Sequence, residues 1–350
     1  MRVVLLDPAA FTLPYDHHLA AALAARGLDV ELVTSRFRFG DPPVPDGYSR
    51  RELFYPLSSR LFGRSRLRLP LKAVEHPAGL ALLRSIPRDV LHLQWAPLPQ
   101  VDVRLLPAGD RAVVTAHDIL PRRTAAKVDL WRRLYSRFAR VVVHSEHGRG
   151  RLVSEVGVEG AAITVIPHPV FPGTVRHEDN GRTLVFFGLI QRYKQLEHAL
   201  ELARTLDAQL IVAGDPLYDI SSLRTAPGVE WRLGYQSDAQ LDAALSQSTV
   251  AVFPYRPELD QSGALLRALG SGVPVAAYDV GGIAEPVRRY GAGVVAEPDD
   301  LAALTEAVRR LLEDADELGR ARAGALRARE ELTWDAAAAA HAALYDGLVA

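Results

Sequence analysis

The stretch from Val252 to Pro286 constrains the fold more than any other part of the sequence. It reads VFPYRPELDQSGALLRALGSGVPVAAYDVGGIAEP. The apolar run that leads into it, Val250 to Phe253, is typical of a buried parallel strand. After two prolines the pattern predicts a helix that begins near Ser262-Gly263, with Ser262 as its N-cap. A second short strand, Val273 to Ala277, runs into Gly281-Gly282. Two strand ends therefore bring a helix N-terminus and a glycine turn to one edge of a sheet.

This predicted edge suits an anion. The first turn of a helix presents N–H groups without intrahelical partners and a partial positive charge. Gly263 and Gly281-Gly282 would let a ligand approach the backbone closely, and a phosphate is the simplest ligand of this kind. An ordinary strand-loop-helix connection with a capping serine would show the same pattern, so the residues alone leave both interpretations open.

The rest of the chain predicts two α/β halves. Its 350 residues and 48% hydrophobic composition are enough for two cores. Arg2 to Leu6, a helix that stops at Gly27, and Val30 to Thr34 form a β-α-β unit, which implies a parallel sheet. Further buried strands are predicted at Val90 to Gln94, Ala112 to Thr115, Arg140 to His144, Thr183 to Phe187, Gln209 to Ala213 and Val229 to Tyr235. The loop from Asp7 to His18 lacks a G-x-G-x-x-G pattern, which disfavours a dinucleotide dehydrogenase.

Chemistry-bearing residues follow several of these strands. Gln94-Trp95, His117-Asp118 and Ser145-Glu146 stand at carboxyl ends of strands, where ligands of open α/β sheets gather. His117 is therefore a candidate ligand-binding residue, and a core histidine with a satisfied hydrogen bond is the alternative. Arg192 and Lys194 lie on the first strand-to-helix connection of the second half. Two cations beside a helix N-terminus would suit a diphosphate, although solvated surface charge is the usual fate of such residues.

Three segments carry a resemblance to a known family. PYRPELDQSGALLRALGSGVPVAAYDVGGIAEPV, FFGLIQRYKQLEHAL and VVTAHDILP resemble segments of the retaining, nucleotide-sugar-dependent glycosyltransferases of family 4, the group 1 transferases. The resemblance covers most of the chain. It implies the GT-B fold, in which two Rossmann-like doubly wound α/β domains face a central cleft. We expect an acceptor-binding domain at 1–175, a nucleotide-sugar-binding domain at 176–332, a linker near 172–182, and a final helix at 333–350 that crosses back to the first domain.

The resemblance also implies roles for individual residues. His117 would hydrogen-bond the transferring sugar, and Arg192 with Lys194 would hold the diphosphate. The other donor-binding residues that it implies are Gly188, Gly214, Tyr255, Ser262, Gly263, Ala264 and Gly282. We expect a nucleoside-diphosphate sugar as co-substrate and no metal or other cofactor, because the sequence offers cations and backbone amides rather than clustered carboxylates or histidines.

The sequence departs from the family pattern in two places. The E-x7-E motif of most members falls on Leu259 and Arg267, so the loop backbone becomes the expected ligand, and Arg267 lies near the ribose or diphosphate or packs with the acidic half. Leu189 stands where an arginine often follows the glycine, so Arg192 must replace that arginine. A catalytically silent GT-B protein that binds a partner or a sugar nucleotide is therefore the alternative. A sugar-nucleotide epimerase would need an acid–base pair that the sequence does not present.

Charge and composition indicate partners and location. Residues 1–175 hold 24 lysines and arginines against 16 aspartates and glutamates, whereas the remainder holds 17 against 26. Within the basic half, cationic and apolar residues alternate from Tyr48 to His76, which predicts either contact with an anionic membrane surface or a packed loop and helix. Nothing resembles a nucleic-acid recognition element. The N-terminus lacks a signal-peptide pattern, so we expect a cytoplasmic protein, with peripheral attachment to the inner membrane face left open. A saccharide, a lipid-linked saccharide or a natural product would be the acceptor.

Overall fold

A computed structural model describes residues 1–38, 40–60, 68–257 and 260–350. The chain forms two compact units, residues 1–167 with 334–350 and residues 168–333. The boundary lies ahead of the expected linker at 172–182, because Val170 already packs in the hydrophobic core of the second unit. The last helix belongs to the first unit.

Both units alternate strands and helices along the chain. The strands are β1 (Arg2–Asp7), β2 (Asp29–Ser35), β3 (Ser49–Phe54), β4 (Val90–Leu93), β5 (Ala112–Thr115), β6 (Arg140–Val143), β7 (Ile163–Val165), β8 (Thr183–Phe187), β9 (Gln209–Gly214), β10 (Val229–Leu233), β11 (Val250–Phe253), β12 (Val275–Tyr278) and β13 (Gly293–Ala296). The helices are α1 (Leu13–Ala25), α2 (Arg68–Leu83), α3 (Pro99–Leu105), α4 (Val128–Tyr135), α5 (Glu146–Arg151), α6 (Leu196–Thr205), α7 (Asp238–Ser246), α8 (Gly263–Gly270), α9 (Ala284–Tyr290), α10 (Leu301–Glu313), α11 (Ala315–Glu331) and α12 (Trp334–Val349).

The first unit contains a seven-stranded parallel sheet in the order β3-β2-β1-β4-β5-β6-β7. The strand order changes direction between β1 and β4, and this is the place where ligands bind in open α/β sheets. The inner strands are largely buried and mostly apolar because helices cover both faces of such a sheet. Helix α12 packs against α1 and β4. Its Tyr345 hydroxyl lies 2.6 Å from Nδ1 of the buried His92 on β4, so the end of the chain is tied to the centre of this sheet.

The second unit contains a six-stranded parallel sheet in the order β10-β9-β8-β11-β12-β13. Here the order changes direction between β8 and β11, so the loops that follow these two strands flank the switch point. The loop after β8 carries Arg192 and Lys194, and the loop after β11 leads into α8. The two segments of this half that carry the expected diphosphate ligands are therefore neighbours at one edge.

The structure confirms the predicted α/β class and several elements in detail. β5, β8 and β11 have the predicted bounds. Ser262 caps α8, because its Oγ accepts a hydrogen bond from the Leu265 N–H at 3.3 Å. Each of these elements has a strong local signal, an apolar run between polar residues or a serine at a helix start.

The described part of the Tyr48–His76 stretch fits the second of its two alternatives, a packed segment, and adds a strand that was not predicted. It contains an edge strand, β3, whose Arg51 Nε donates to Glu31 at 2.5 Å. Its Tyr55 and His76 are buried, with the Tyr55 hydroxyl 2.6 Å from His76 Nδ1, so these side chains are not open to lipid. The part of the stretch at 61–67 lies outside the described residues. Over the described ranges, no helix has the length and apolar character to cross a bilayer.

Candidate active site

Two glycines bring the turns after β8 and β9 into direct backbone contact. The Gly188 N–H donates to the Ala213 carbonyl at 2.9 Å. A Cβ on Gly214 would lie only 1.8 Å from the Gly188 carbonyl oxygen, which no side chain could tolerate. Gly188 itself has a φ of 92°, in the region that favours glycine. Both residues were predicted as donor-binding residues, and the structure places them side by side.

Lys194 is buried next to this contact. It ends a short 3₁₀ turn, Arg192–Lys194, and is only 7% exposed. A Cβ on Gly188 would lie 3.2 Å from Lys194 Nζ and 3.7 Å from Ala264 Cβ, so the ammonium group and the first turn of α8 meet beside Gly188. The ammonium also lies over the Tyr255 ring, 5.2 Å from its centre, in a cation–π arrangement.

The two loops that carry these groups are joined by their backbones. The Arg256 N–H donates to the Tyr193 carbonyl at 2.9 Å, and the Tyr193 and Tyr255 rings pack edge to face. On the other side, the Gly282 N–H donates to the Asp260 carbonyl at 3.0 Å. These two bonds join the loop after β11, which carries Tyr255, to the loops that carry Lys194 and Gly282.

Arg192 and Arg267 contact other groups of the second unit. The Arg192 guanidinium is exposed and stacks on the Tyr218 ring, 4.6 Å from its centre, so it lies with the loop after β9. Arg267 is 9% exposed, and its guanidinium pairs with Asp238 at 3.2 Å and Asp242 at 2.7 Å, both on α7. Of the alternatives considered for Arg267, the structure therefore favours packing with acidic residues. Leu259, the other position of the motif, lies outside the described residues.

His117 follows β5 in the first unit and is held by polar neighbours. Its Nε2 lies 3.0 Å from Gln94 Oε1, and its Nδ1 lies 3.1 Å from His144 Nε2. His144 Nδ1 in turn lies 2.9 Å from the Ile166 carbonyl oxygen. The Tyr15 ring packs edge-on against His117. The sequence predicted His117 but not these contacts. The signal for them was that Gln94 and His144 directly follow β4 and β6, the strands on either side of β5.

A buried pair of carboxyl groups at the end of β1 was also missed. Asp7 and Asp16 are fully buried, and Thr12 Oγ1 lies 3.3 Å from Asp7 and 3.2 Å from Asp16. Asp7 also accepts the N–H groups of Ala9 and Thr12. These bonds fix a tight loop in which Ala10 has a φ of 51°. The pair thus anchors the segment between β1 and α1.

The two carboxyls differ in their surroundings. Burial raises the pKa of both groups, and the charge of the neighbouring Asp7 raises the pKa of Asp16 further. Backbone donors oppose the rise of the Asp7 pKa, so we assign the retained proton to Asp16.

Phe11 on the same loop forms an aromatic pair with Trp95, a half-buried residue that follows β4. The rings of Phe11 and Trp95 are stacked, with centroids 4.7 Å apart and planes inclined by 27°. Phe11 is 57% exposed, and the two residues follow β1 and β4, the strands that flank the switch point. A large exposed aromatic at a ligand-binding edge is a candidate contact for an apolar face of a ligand.

Other parts of the molecule fit a diphosphate less well. A cavity of about 590 Å³ lies at the opposite edge of the second sheet, where Thr183, Gln209 and Val229 begin their strands, and its described lining contains no lysine or arginine. Within the described ranges, no three histidine, aspartate or glutamate side chains are arranged to hold a metal ion.

The two doubly wound units, with cations and a helix N-terminus at one sheet edge of the second, match the GT-B class of glycosyltransferases. Comparison with family models supports the same class. Residues 15–172 match the model of Glycosyltransferase Family 4, and residues 181–314 match that of Glycosyl transferases group 1. The chain belongs to the group 1 glycosyltransferases of family 4, and it is a nucleotide-sugar-dependent enzyme.

Individual proteins are similar at lower identity. The D-inositol 3-phosphate glycosyltransferase 1 of Catenulispora acidiphila is 29% identical over 331 residues, which cover 87% of this chain and 73% of that protein. The 2-deoxystreptamine glucosyltransferase of Streptomyces kanamyceticus is 26% identical over 214 residues, and the alignment covers 54% of this chain and only 55% of that protein. The sucrose-phosphate synthase structure from Thermosynechococcus elongatus superposes with a TM-score of 0.76 at 19% identity and covers 99% of both chains, which shows the shared fold.

The buried acid pair yields a prediction about pH. In Asp16→Asn the amide replaces a protonated carboxyl and can still donate toward Asp7, so the variant should fold. Because the pKa of Asp16 is higher in the folded chain, the folded state keeps a proton that the unfolded state loses above about pH 4. The stability that this proton contributes is present below that pH and is lost as the pH rises through the folded pKa.

Wild type should therefore lose stability relative to Asp16→Asn as the pH is raised from about 4 toward neutrality. Urea unfolding of both proteins at a series of pH values measures this difference. Asp129→Asn, at an exposed position of the same unit, is the control and should follow the wild-type curve. Parallel curves for wild type and Asp16→Asn would contradict the assignment of the proton.

Proposed function

We propose that the protein is a retaining glycosyltransferase that moves a hexosyl group from a nucleoside-diphosphate sugar to the hydroxyl of an acceptor. The observation that carries the proposal is the meeting of Lys194 Nζ and the first turn of α8 beside Gly188. An ammonium group and helix N–H groups at one point match a diphosphate in charge and in hydrogen bonding. Because Gly188 has no side chain, the oxygens of the diphosphate could approach the backbone closely there.

The proposed reaction needs stabilisation of a leaving group more than strong acids or bases. The bond from the sugar's anomeric carbon to the diphosphate oxygen breaks, and negative charge grows on the departing nucleoside diphosphate. Lys194 and the N–H groups of Gly263 and Ala264 would stabilise that charge, with Arg192 at the rim. The acceptor oxygen bonds to the same face of the anomeric carbon, and its proton passes to the departing phosphate oxygen. His117 would contact the transferring sugar.

Lys194→Ala tests the leaving-group role. Because Lys194 would meet charge that develops in the transition state, its loss should lower kcat by about a hundredfold or more. Release of nucleoside diphosphate from UDP-glucose, ADP-glucose and GDP-mannose would be measured with wild type, and the preferred donor then used for the variant. Lys127→Ala removes an exposed lysine of the other unit and should retain the wild-type rate. If a folded Lys194→Ala protein turned over the donor at the wild-type rate, Lys194 would not be part of the active site.

We further propose that the acceptor presents a six-membered ring to the Phe11–Trp95 pair. One face of a ring polyol or sugar is lined with C–H groups and packs well on an aromatic surface. The pair lies at the carboxyl edge of the first sheet, with Gln94 and His117 on the neighbouring strand ends. Two relatives are named for 2-deoxystreptamine and D-inositol 3-phosphate, both of which are six-membered carbon rings. A saccharide or a cyclic natural product would fit in the same way.

Phe11→Ala tests the acceptor surface. The side chain is largely exposed, so its truncation should leave the fold intact, but it should raise the acceptor KM by about tenfold through the loss of stacking. Rates would be measured with myo-inositol, 2-deoxystreptamine and maltose as acceptors, beside acceptor-free hydrolysis of the donor. Leu105→Ala, at the end of α3, is the control and should change neither. An unchanged acceptor KM in Phe11→Ala would exclude the stacking role.

A lipid-linked acceptor would require contact with a membrane, and we propose α2 for this contact. Four apolar residues of α2 recur at helical spacing and are exposed: Val74, which is 70% exposed, Ala78, Ala81 and Leu82. Arg60 and Arg84 near this helix are also exposed, and the N-terminal half has excess positive charge. An apolar helix face with basic neighbours suits an anionic bilayer surface.

Vesicle flotation tests the membrane contact. The protein should float with vesicles of phosphatidylglycerol and phosphatidylcholine, and less so with phosphatidylcholine alone. Val74→Glu/Leu82→Glu should abolish flotation, whereas Leu217→Glu, an exposed apolar position of the other unit, should not. Failure of the wild-type protein to bind anionic vesicles would exclude this surface.

A further inference from the structure

A chain of hydrogen-bonding groups runs along the carboxyl edge of the first sheet. Gln94, His117, His144 and Ile166 follow β4, β5, β6 and β7, four neighbouring strands. The chain runs from the Ile166 carbonyl to His144 Nδ1 at 2.9 Å, from His144 Nε2 to His117 Nδ1 at 3.1 Å, and from His117 Nε2 to Gln94 Oε1 at 3.0 Å. All three contacts have hydrogen-bond length.

The direction of these bonds follows from their end point. A backbone carbonyl can only accept, so His144 Nδ1 must carry a proton. His144 is buried, and burial lowers its pKa to about 4, which leaves a neutral ring with a single proton near neutral pH. His144 Nε2 is then a bare acceptor. The group that faces it, His117 Nδ1, must therefore be a donor.

We propose that His144 is a positioning residue that holds His117 in the Nδ1–H tautomer and leaves a lone pair on His117 Nε2. The Ile166 carbonyl sets the direction of every hydrogen bond in this row of groups, because a carbonyl oxygen can only accept. With a neutral His117, the proposal requires Gln94 to present its NH₂ to Nε2 in place of the Oε1 that lies 3.0 Å away, and the two ends of an amide are similar enough in shape to exchange.

This tautomer determines what His117 can do for a substrate. A neutral Nε2 accepts one hydrogen bond, so a sugar hydroxyl that donates to it would replace the Gln94 amide, and Nε2 would not donate to a ring or phosphate oxygen. This consequence rests on the proposed function, in which His117 contacts the transferring sugar. The tautomer itself does not depend on that function, because it follows from contacts within the first unit.

The tautomer can be observed directly. Protein labelled with ¹⁵N-histidine would be studied at pH 8 by long-range ¹H–¹⁵N correlation, with the His117 signals assigned by their loss in His117→Gln. We expect His117 Nδ1 to show the shift of a protonated nitrogen and Nε2 that of a bare one. His117 with its proton on Nε2, or a doubly protonated His117, would overturn the proposal. Once the His117 signals are assigned, this spectrum of the wild-type protein decides the matter even if the His144 variants fail to fold.

Variants at His144 separate positioning from packing. His144→Phe removes the acceptor, so we expect the proton of His117 to shift toward Nε2 and kcat to fall by about tenfold with little change in the donor KM. His144→Gln places an amide oxygen near the former Nε2 and should restore both the spectrum and most of kcat. His147→Phe, an exposed histidine on α5, is the matched control. A His144→Phe spectrum with His117 unchanged would contradict the role of His144.

The two hypotheses fail in distinguishable ways. If no nucleotide sugar is turned over but His117 carries its proton on Nδ1, the proposed function fails and the tautomer assignment stands. If transfer is active and His117 carries its proton on Nε2, only the inference about His144 is wrong.

Discussion

The second unit depends on the close approach of two backbone turns at Gly188 and Gly214. Because β8 and β9 are adjacent parallel strands, their carboxyl ends meet, and only a glycine at 214 can lie against the Gly188 carbonyl. This packing fixes the turn from which the 3₁₀ segment with Lys194 begins. The position of the ammonium group therefore follows from backbone contacts inside the sheet edge. A lysine held in this way is preorganised for a ligand, unlike a lysine on a flexible surface loop.

The electrostatics of this edge favour an anion. Removing an ammonium group from water costs free energy, and the N-terminus of α8 adds a second source of positive potential at the same point. The Tyr255 ring offsets part of this cost through its negative face. Two positive groups at one point raise the free energy of the unliganded protein, and a bound diphosphate would lower it. Arg267 contributes little to this potential, because its guanidinium pairs with Asp238 and Asp242.

Local sequence signals predicted much of this arrangement. Apolar runs fixed the bounds of β8 and β11, and the parallel-sheet rule placed the ends of both strands on one edge, which is why Lys194 and Ser262 could be assigned to one site. Contacts between distant segments could not be predicted. The stacking of Phe11 on Trp95 requires β1 and β4 to be neighbours, and strand order is not a local property. The edge strand β3 was missed because its three consecutive charged residues, Arg50 to Glu52, obscure the apolar pattern.

Burial and local hydrogen bonds also leave the first unit poor in strong bases. Burial holds His144 neutral and raises the pKa of Asp16, and Asp7 accepts the N–H groups of its own loop. His117 Nε2 faces the Gln94 amide. An acceptor hydroxyl that binds beside Phe11 and Trp95 would thus find an aromatic surface and hydrogen bonds, whereas His144, Asp16 and Asp7 are poorly placed to take its proton. In the proposed reaction the departing phosphate oxygen is then the natural base, because its negative charge increases as the bond to the sugar breaks, at the moment when the proton must leave.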